Sequence, residues 1–285
     1  PAQEAIYKAY AKAVAFARSR GTLIVAAAGN EHLRLGSGGK VLSHGPLTTP
    51  GDPFDDYYGL YDVPGGLPGV VNVASTGNRT IPSSASCAVG TTGNPKDLGA
   101  TATCKPRNDR HQAAGQGVPD QLAYYSNYGP GIDLAAPGGA RKFNLPYWDR
   151  GGTPGFPYVT SEGTQAWEEF SVTSNWAVEI PCFTFAAGSG FPRGQCYSTI
   201  QGTSMATPHA SAVAALLASA KPRLRHDPAA LLAALQGRAR KAVNLTQPLS
   251  ATDRSGGDLT GGRCADGYCH LGGPAIPSRE AYGAG

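Results

Sequence analysis

The chain has 285 residues, enough for one large domain or two small ones. Hydrophobic residues make up 41% and charged residues 15%, a balance too apolar for a disordered chain. The net charge is only +4 and no apolar run reaches the roughly 18 residues that a bilayer-spanning helix needs, which excludes a polyelectrolyte and a transmembrane helix.

The opening, PAQEAIYKAY, lacks the basic start, apolar core and small-residue cleavage site of a signal peptide, as a mature trimmed protein also would. Ile6, Tyr10, Ala13, Val14 and Ala17 recur at helical spacing, and Gly21 supplies a stop, so residues 2–19 predict a helix. TLIVAAA, 22–28, is a short apolar run between glycine-containing turns and predicts a strand covered on both faces, as in a parallel sheet. It ends at Gly29-Asn30. VVNVAS, 70–75, and IDLAAP, 132–137, predict two further strands of the same kind.

Between these strands lie long excursions at 31–68, 77–122 and 138–195, rich in glycine and proline. The third holds all three tryptophans, and the alternation in FSVTSNWAVEI, 170–180, predicts strand. The six cysteines can pair in many ways, and their spacing suggests three local loops, Cys87–Cys104, Cys182–Cys196 and Cys264–Cys269. No spacing fits a zinc site, so disulfides in an oxidising, extracellular compartment are expected.

A helix is predicted after Ser204, running through Ala218, and another from Asp227-Pro228, with the aspartate as N-cap and proline at the first helical position. The basic residues Lys221, Arg223, Arg225, Arg238, Arg240 and Lys241 read as a solvated helix face, so neither nucleic acid nor a membrane is an expected partner. Residues 1–245 read as the body of the domain and 246–285 as an irregular C-terminal segment of that domain.

The chemistry concentrates in GTSMATPHASAVAALL, 202–217. Gly202 permits a sharp turn and close approach of a ligand. Ser204 then stands at the start of a helix, where its backbone N–H lacks an intrahelical acceptor and the positive end of the helix dipole faces whatever its hydroxyl attacks. Pro208 forfeits only the bond to the Ser204 carbonyl. No G-x-S-x-G elbow surrounds the serine, which excludes that esterase pattern.

Residues 202–213 resemble the nucleophile segment of the subtilisin-like serine proteases. GTLIVAAAGN, 21–30, resembles that family's strand ending on an oxyanion-hole asparagine, and YSNYGPGIDLAAPG, 125–138, its strand and loop before the nucleophile. The resemblance implies a three-layer α/β/α fold with a mostly parallel central sheet, here carrying long disulfide-containing insertions. It implies a serine endopeptidase acting on polypeptides without a cofactor. Ser204 would be the acylating nucleophile, and Asn30 would donate its amide to the oxyanion together with the Ser204 N–H. Ala27, Ala28 and Gly29 would wall the pocket for the residue before the scissile bond, with Glu31 at its rim. Gly202 and Thr203 join the substrate-binding group.

The family's order is aspartate, histidine, asparagine, serine, yet residues 1–29 hold neither histidine nor aspartate. His32 and His44 follow the asparagine, and His209 matches a histidine that is structural in the family. The aspartate and histidine are therefore expected on an N-terminal segment of the same protease, bound as a companion. The competing expectation is a protease-like scaffold that binds a partner without catalysis. Asp52, Asp55, Asp56 and Asp62 form the one acidic cluster, readable as a structural calcium site, as an acidic wall favouring a basic substrate side chain, or as a solvated loop.

Overall fold

In the computed structural model the residues described are 2–43, 56–77, 122–123, 125–139, 172–175, 197–240, 276 and 278–283. The first helix, α1 (Ala2–Ser19), ends where predicted, with Gly21 at φ 81° and its N–H on the Arg18 carbonyl. A Cβ on Gly21 would stand 2.9 Å from the His226 backbone, so the close approach as well as the dihedral demands glycine there. Arg18 reaches across to donate to the Gly69 carbonyl at 2.6 Å, pinning the helix to the turn before the second strand.

Three strands, β1 (Ile24–Ala27), β2 (Val70–Thr76) and β3 (Leu134–Pro137), form a parallel sheet in the order β1-β2-β3. Ile24 stands opposite Val70, and Val73 opposite Leu134. β2 is buried at every position, as a central strand covered on both faces must be. Side chains alternate across it. Val70 packs with Ile24, Ala26 and Val14 of α1, whereas Val71 and Val73 point the other way.

That second face is covered by α2 (Thr203–Ala220). Its Ala206, Ala210, Ala214 and Leu217 lie at helical spacing against Val71, Val73, Leu134 and Ala136. The small alanines let the helix lie close on the strands. A 3-10 turn, Pro222–Leu224, leads to α3 (Pro228–Gln236). Asp227 caps α3 as predicted, accepting the Ala230 N–H at 2.9 Å. The basic residues find a local use. Arg225 donates to the Ala218 carbonyl and Arg238 to the Ala234 carbonyl, both near helix C-termini, where the dipole favours positive charge.

Helices on both faces of a parallel sheet make this an α/β fold, as the sequence predicts. The strands are shorter than predicted at their starts: β1 begins at Ile24 and β3 at Leu134. β4 (Val172–Asn175), within the third excursion, forms a separate antiparallel pair with β5 (Tyr197–Ile200), which follows it. The segment expected to be irregular contains a short helix, α4 (Ser278–Tyr282). Its Ala281, with Ile276, closes a core built from Ala28, Leu33, Leu35, Tyr128 and Ile132. Arg34 clamps Glu280 of α4 through two bonds of 2.8 and 2.6 Å. Among the described residues no helix is long and apolar enough to cross a membrane. The six cysteines all lie outside the described residues, as do Asp52 and Asp55.

Candidate active site

The site forms where β1 ends and α2 begins. Gly202 precedes α2 with φ 157° and ψ 161°, a region essentially reserved for glycine, and a glycine provides no side-chain cap. The first N–H groups of α2 must therefore find acceptors elsewhere or none. The Thr203 N–H donates to Asn30 Oδ1 at 2.9 Å. Met205 and Ala206 turn back to the Gly202 carbonyl at 2.9 and 3.3 Å. Among the described residues the Ser204 N–H finds no acceptor and the exposed Ser204 hydroxyl no hydrogen-bond partner.

Asn30 comes to this place because β1 runs parallel to its neighbours and delivers its C-terminal end to the α2 N-terminus, the usual crevice of an open α/β sheet. Its carboxamide is oriented by the next chain crossing. Thr203 Oγ1 also donates to Asn30 Oδ1, at 2.9 Å, while accepting the Gly29 N–H at 3.1 Å. With Oδ1 held by two donors, Nδ2 is the face of the amide left over, and it makes no hydrogen bond. A point one bond from the Gly202 Cα lies 3.6 Å from that Nδ2, so the amide and the Gly202–Ser204 turn share one crevice.

The remaining sequence-predicted residues fall around this crevice in different roles. Ala27, Gly29 and Glu31 are partly exposed along the strand end. Ala28 is fully buried in the core, and Thr203, grouped by the sequence with substrate-facing residues, is buried and spends both donors on Asn30. Glu31 Oε2 folds back to accept the Asn30 N–H at 2.8 Å. His209, matched to a histidine that is structural in the family, lies on the exposed surface of α2, with Nδ1 2.8 Å from the Met205 carbonyl one turn back. Bonding within its own helix keeps the ring on that surface. Asp56 accepts the Tyr58 N–H at 3.0 Å.

Asn127 was legible only as part of a turn, yet it fastens the strand end. Its Nδ2 donates to the Ala28 carbonyl and its Oδ1 accepts the Leu33 N–H, both at 2.7 Å. Its own N–H meets the Gly29 carbonyl at 3.1 Å. Gly29 sits at φ 95°, and a Cβ there would strike Asn127 Nδ2. The turn Gly29-Asn30 is thus over-determined from two sides, a pre-organisation that suits an amide meant to meet a developing charge.

A family model, the subtilase family, matches residues 2–251. The chain belongs to the subtilase family. Solved structures similar to this subtilase chain include a protease of Pseudoalteromonas arctica, 26% identical over 83% of this chain and 41% of that one, with a TM-score of 0.41. A lanthipeptide protease is 18% identical over 91% of this chain and 52% of its own, with a TM-score of 0.45. The epidermin leader peptide processing serine protease of Staphylococcus aureus is 21% identical over 90% of this chain and 42% of its own, with a TM-score of 0.44. The subtilase chain therefore spans about half, or less, of the length of these proteins. No curated protein sequence matches it.

Proposed function

We propose that this subtilase is a serine endopeptidase whose nucleophile is Ser204 and whose oxyanion site is Asn30 Nδ2 with the Ser204 N–H. The carrying observation is the convergence just described: two unpaired N–H donors and an exposed, unpaired hydroxyl meet where β1 ends and α2 begins. Ser204 Oγ attacks the peptide carbonyl while a histidine takes its proton. The carbonyl oxygen, now negative, draws the two N–H groups. The histidine then protonates the departing amine, and water repeats the sequence on the acyl-serine. Side chains and water suffice, so no cofactor enters the reaction.

The histidine and its orienting aspartate are supplied by an N-terminal segment of the same protease. Apolar side chains exposed on both covering helices support this. Val213 is 53% and Leu216 70% exposed on α2, and Ile6, Tyr10 and Phe16 are at least half exposed on α1. β1 borders the described sheet with one edge free, where further strands would pair. The even cysteine number supports action in an oxidising, extracellular setting. A non-catalytic binding scaffold is the alternative, and its support is that no described histidine or carboxylate bonds the Ser204 hydroxyl.

Labelling of the full-length protease with a fluorophosphonate, followed by peptide mapping, tests the proposal. The expected result is one adduct, on Ser204, abolished in Ser204→Ala. Folded protein that remains unlabelled, N-terminal segment included, leaves the binding scaffold standing.

A further inference from the structure

Tyr125 touches both halves of the site from one buried position. Its backbone carbonyl accepts the His32 N–H at 2.8 Å, two residues beyond Asn30. Its hydroxyl, at the far end of the side chain, donates to the Gly139 carbonyl at 2.6 Å and lies 3.1 Å from the Gly138 carbonyl. Gly138 in turn seats the nucleophile turn, for its carbonyl accepts the Gly202 N–H at 3.0 Å, two residues before Ser204. One residue therefore spans from the loop that carries the oxyanion amide to the loop on which the nucleophile turns.

The chemistry of the hydroxyl fixes who donates. A phenol has one hydrogen and a carbonyl only accepts, so that hydrogen goes to the glycine carbonyls. Ser75 Oγ, 2.7 Å away, is then the donor to the phenol oxygen. Tyr125 is 5% exposed and Ser75 is fully buried, so water does not stand in for a donor that is lost. The packing is as close as the bonding: a Cβ on Gly138 would strike both Ser75 Oγ and the Gly202 carbonyl. Ser75 belongs to β2, and its N–H donates to Ser126 Oγ at 2.9 Å, so the whole chain of contacts stands on the central strand. In so dense a place a shift at the phenol is passed on to Gly202.

We propose that Tyr125 is a positioning residue for the reaction on Ser204: its hydroxyl fixes the Gly138–Gly139 seat, and through it the placement of the Ser204 hydroxyl against Asn30 Nδ2. The assignment rests on the endopeptidase reading above. The Thr203–Asn30 bonds tie the two turns at one place, and a single tie leaves the nucleophile turn free to pivot about it. Gly202, at φ 157° and ψ 161°, has no side chain to stop that pivot. The Gly138 carbonyl on the Gly202 N–H is the second tie, and the Tyr125 hydroxyl holds the glycine pair that provides it. Asn127 holds the oxyanion turn by separate bonds, so loss of the phenol hydroxyl moves one reacting group relative to the other. Such misplacement costs the chemical step, by on the order of 100-fold for 1 Å.

Tyr125→Phe in the full-length protease keeps the ring and removes only the hydroxyl. It should lower kcat on a peptide by about 10-fold with KM unchanged, and slow fluorophosphonate labelling of Ser204 by the same factor. The amino acid 4-aminophenylalanine in place of Tyr125 returns an N–H donor to the same spot and should recover most of the rate. Val14→Ala, beneath α1 and packed on Ala26, Leu67 and Val70, is the stability control. It should lower the melting midpoint at least as far and leave kcat where it was. Full kcat in Tyr125→Phe overturns the assignment, as does a loss that the amino analogue does not recover or that Val14→Ala reproduces. If Tyr125→Phe does not fold, Ser75→Ala breaks the same chain more gently: kcat about 3-fold lower is expected, and full kcat overturns the assignment. Labelling of the parent separates the two readings. If Ser204 of the parent takes no label, the endopeptidase reading has failed; if it does and Tyr125→Phe is labelled as fast, only the role of Tyr125 has.

Discussion

Asn30 is gripped through its oxygen, and that grip sets what substitution should do. Asn30→Leu removes one oxyanion donor and should lower kcat by about 100- to 1,000-fold with KM little changed, since the donor acts on charge that exists only in the transition state. Thr203→Val removes one of the two donors that orient the amide. It should lower kcat by about 10-fold, the cost of a lost hydrogen bond, and steady-state kinetics on one peptide would compare the pair. Asp62 makes the opposite kind of prediction. Its carboxyl is raised from 3.8 to about 6 in the folded chain, so its favourable contribution to stability is complete below 3.8 and disappears as pH rises through about 6. Asp62→Asn should therefore raise the melting midpoint at neutral pH by about 2–4 °C and change little below pH 3.8. Thermal melts across that window would check it. The glycine turn, the helix start and the strand end have local signatures, but Asn30 and Ser204 were legible as neighbours only through the resemblance to the subtilisin-like proteases. Asn72 was not: the signal was one polar residue inside the apolar run VVNVAS, and nothing local says that the turn at Asp62 folds back on it. Asn127 escaped for the same reason, since its bonds to Ala28, Gly29 and Leu33 go to residues about a hundred positions earlier.

At the scale of elements, α2 is governed by size more than by hydrophobicity. Ala206 and Ala210 face the sheet at or near full burial, with Val71 and Val73 opposite. Ala210→Leu should destabilise by about 1–3 kcal/mol through overpacking, and the displaced helix should carry Ser204 with it. Urea unfolding and fluorophosphonate labelling rate should then fall together; a stability loss with undiminished labelling would mean that the helix start is anchored independently, by Thr203 on Asn30. The three parallel strands and the helices around them were legible because apolar runs and helical periods are local properties. α4 was not, because five residues are too few for a period. Its place comes from Ala281 and Ile276 entering a core assembled by distant segments. The exposed apolar side chains of α2 were likewise invisible in advance, for an alanine- and leucine-rich helix reads as buried on every side.

At the scale of the molecule, the Arg34–Glu280 pair ties residues 246 positions apart. The guanidinium bond, foremost, holds the Glu280 carboxyl below its ordinary 4.5. Its contribution is thus present above 4.5 and is lost as pH falls through the lowered folded value. Glu280→Gln should cost about 1 kcal/mol at neutral pH, the upper end for a partly exposed pair with two-pronged geometry. Melting curves of the variant and the parent should converge in strong acid. The same tie bears on the oxyanion turn. Arg34 lies four residues beyond Asn30, and the Glu280 carbonyl also receives the Gly129 N–H at 2.7 Å, two residues from Asn127. Disrupting Ser278–Tyr282 would take a partner from each of the two loops that hold the oxyanion amide. This short helix would therefore act as a rheostat on turnover without touching any group that meets the peptide.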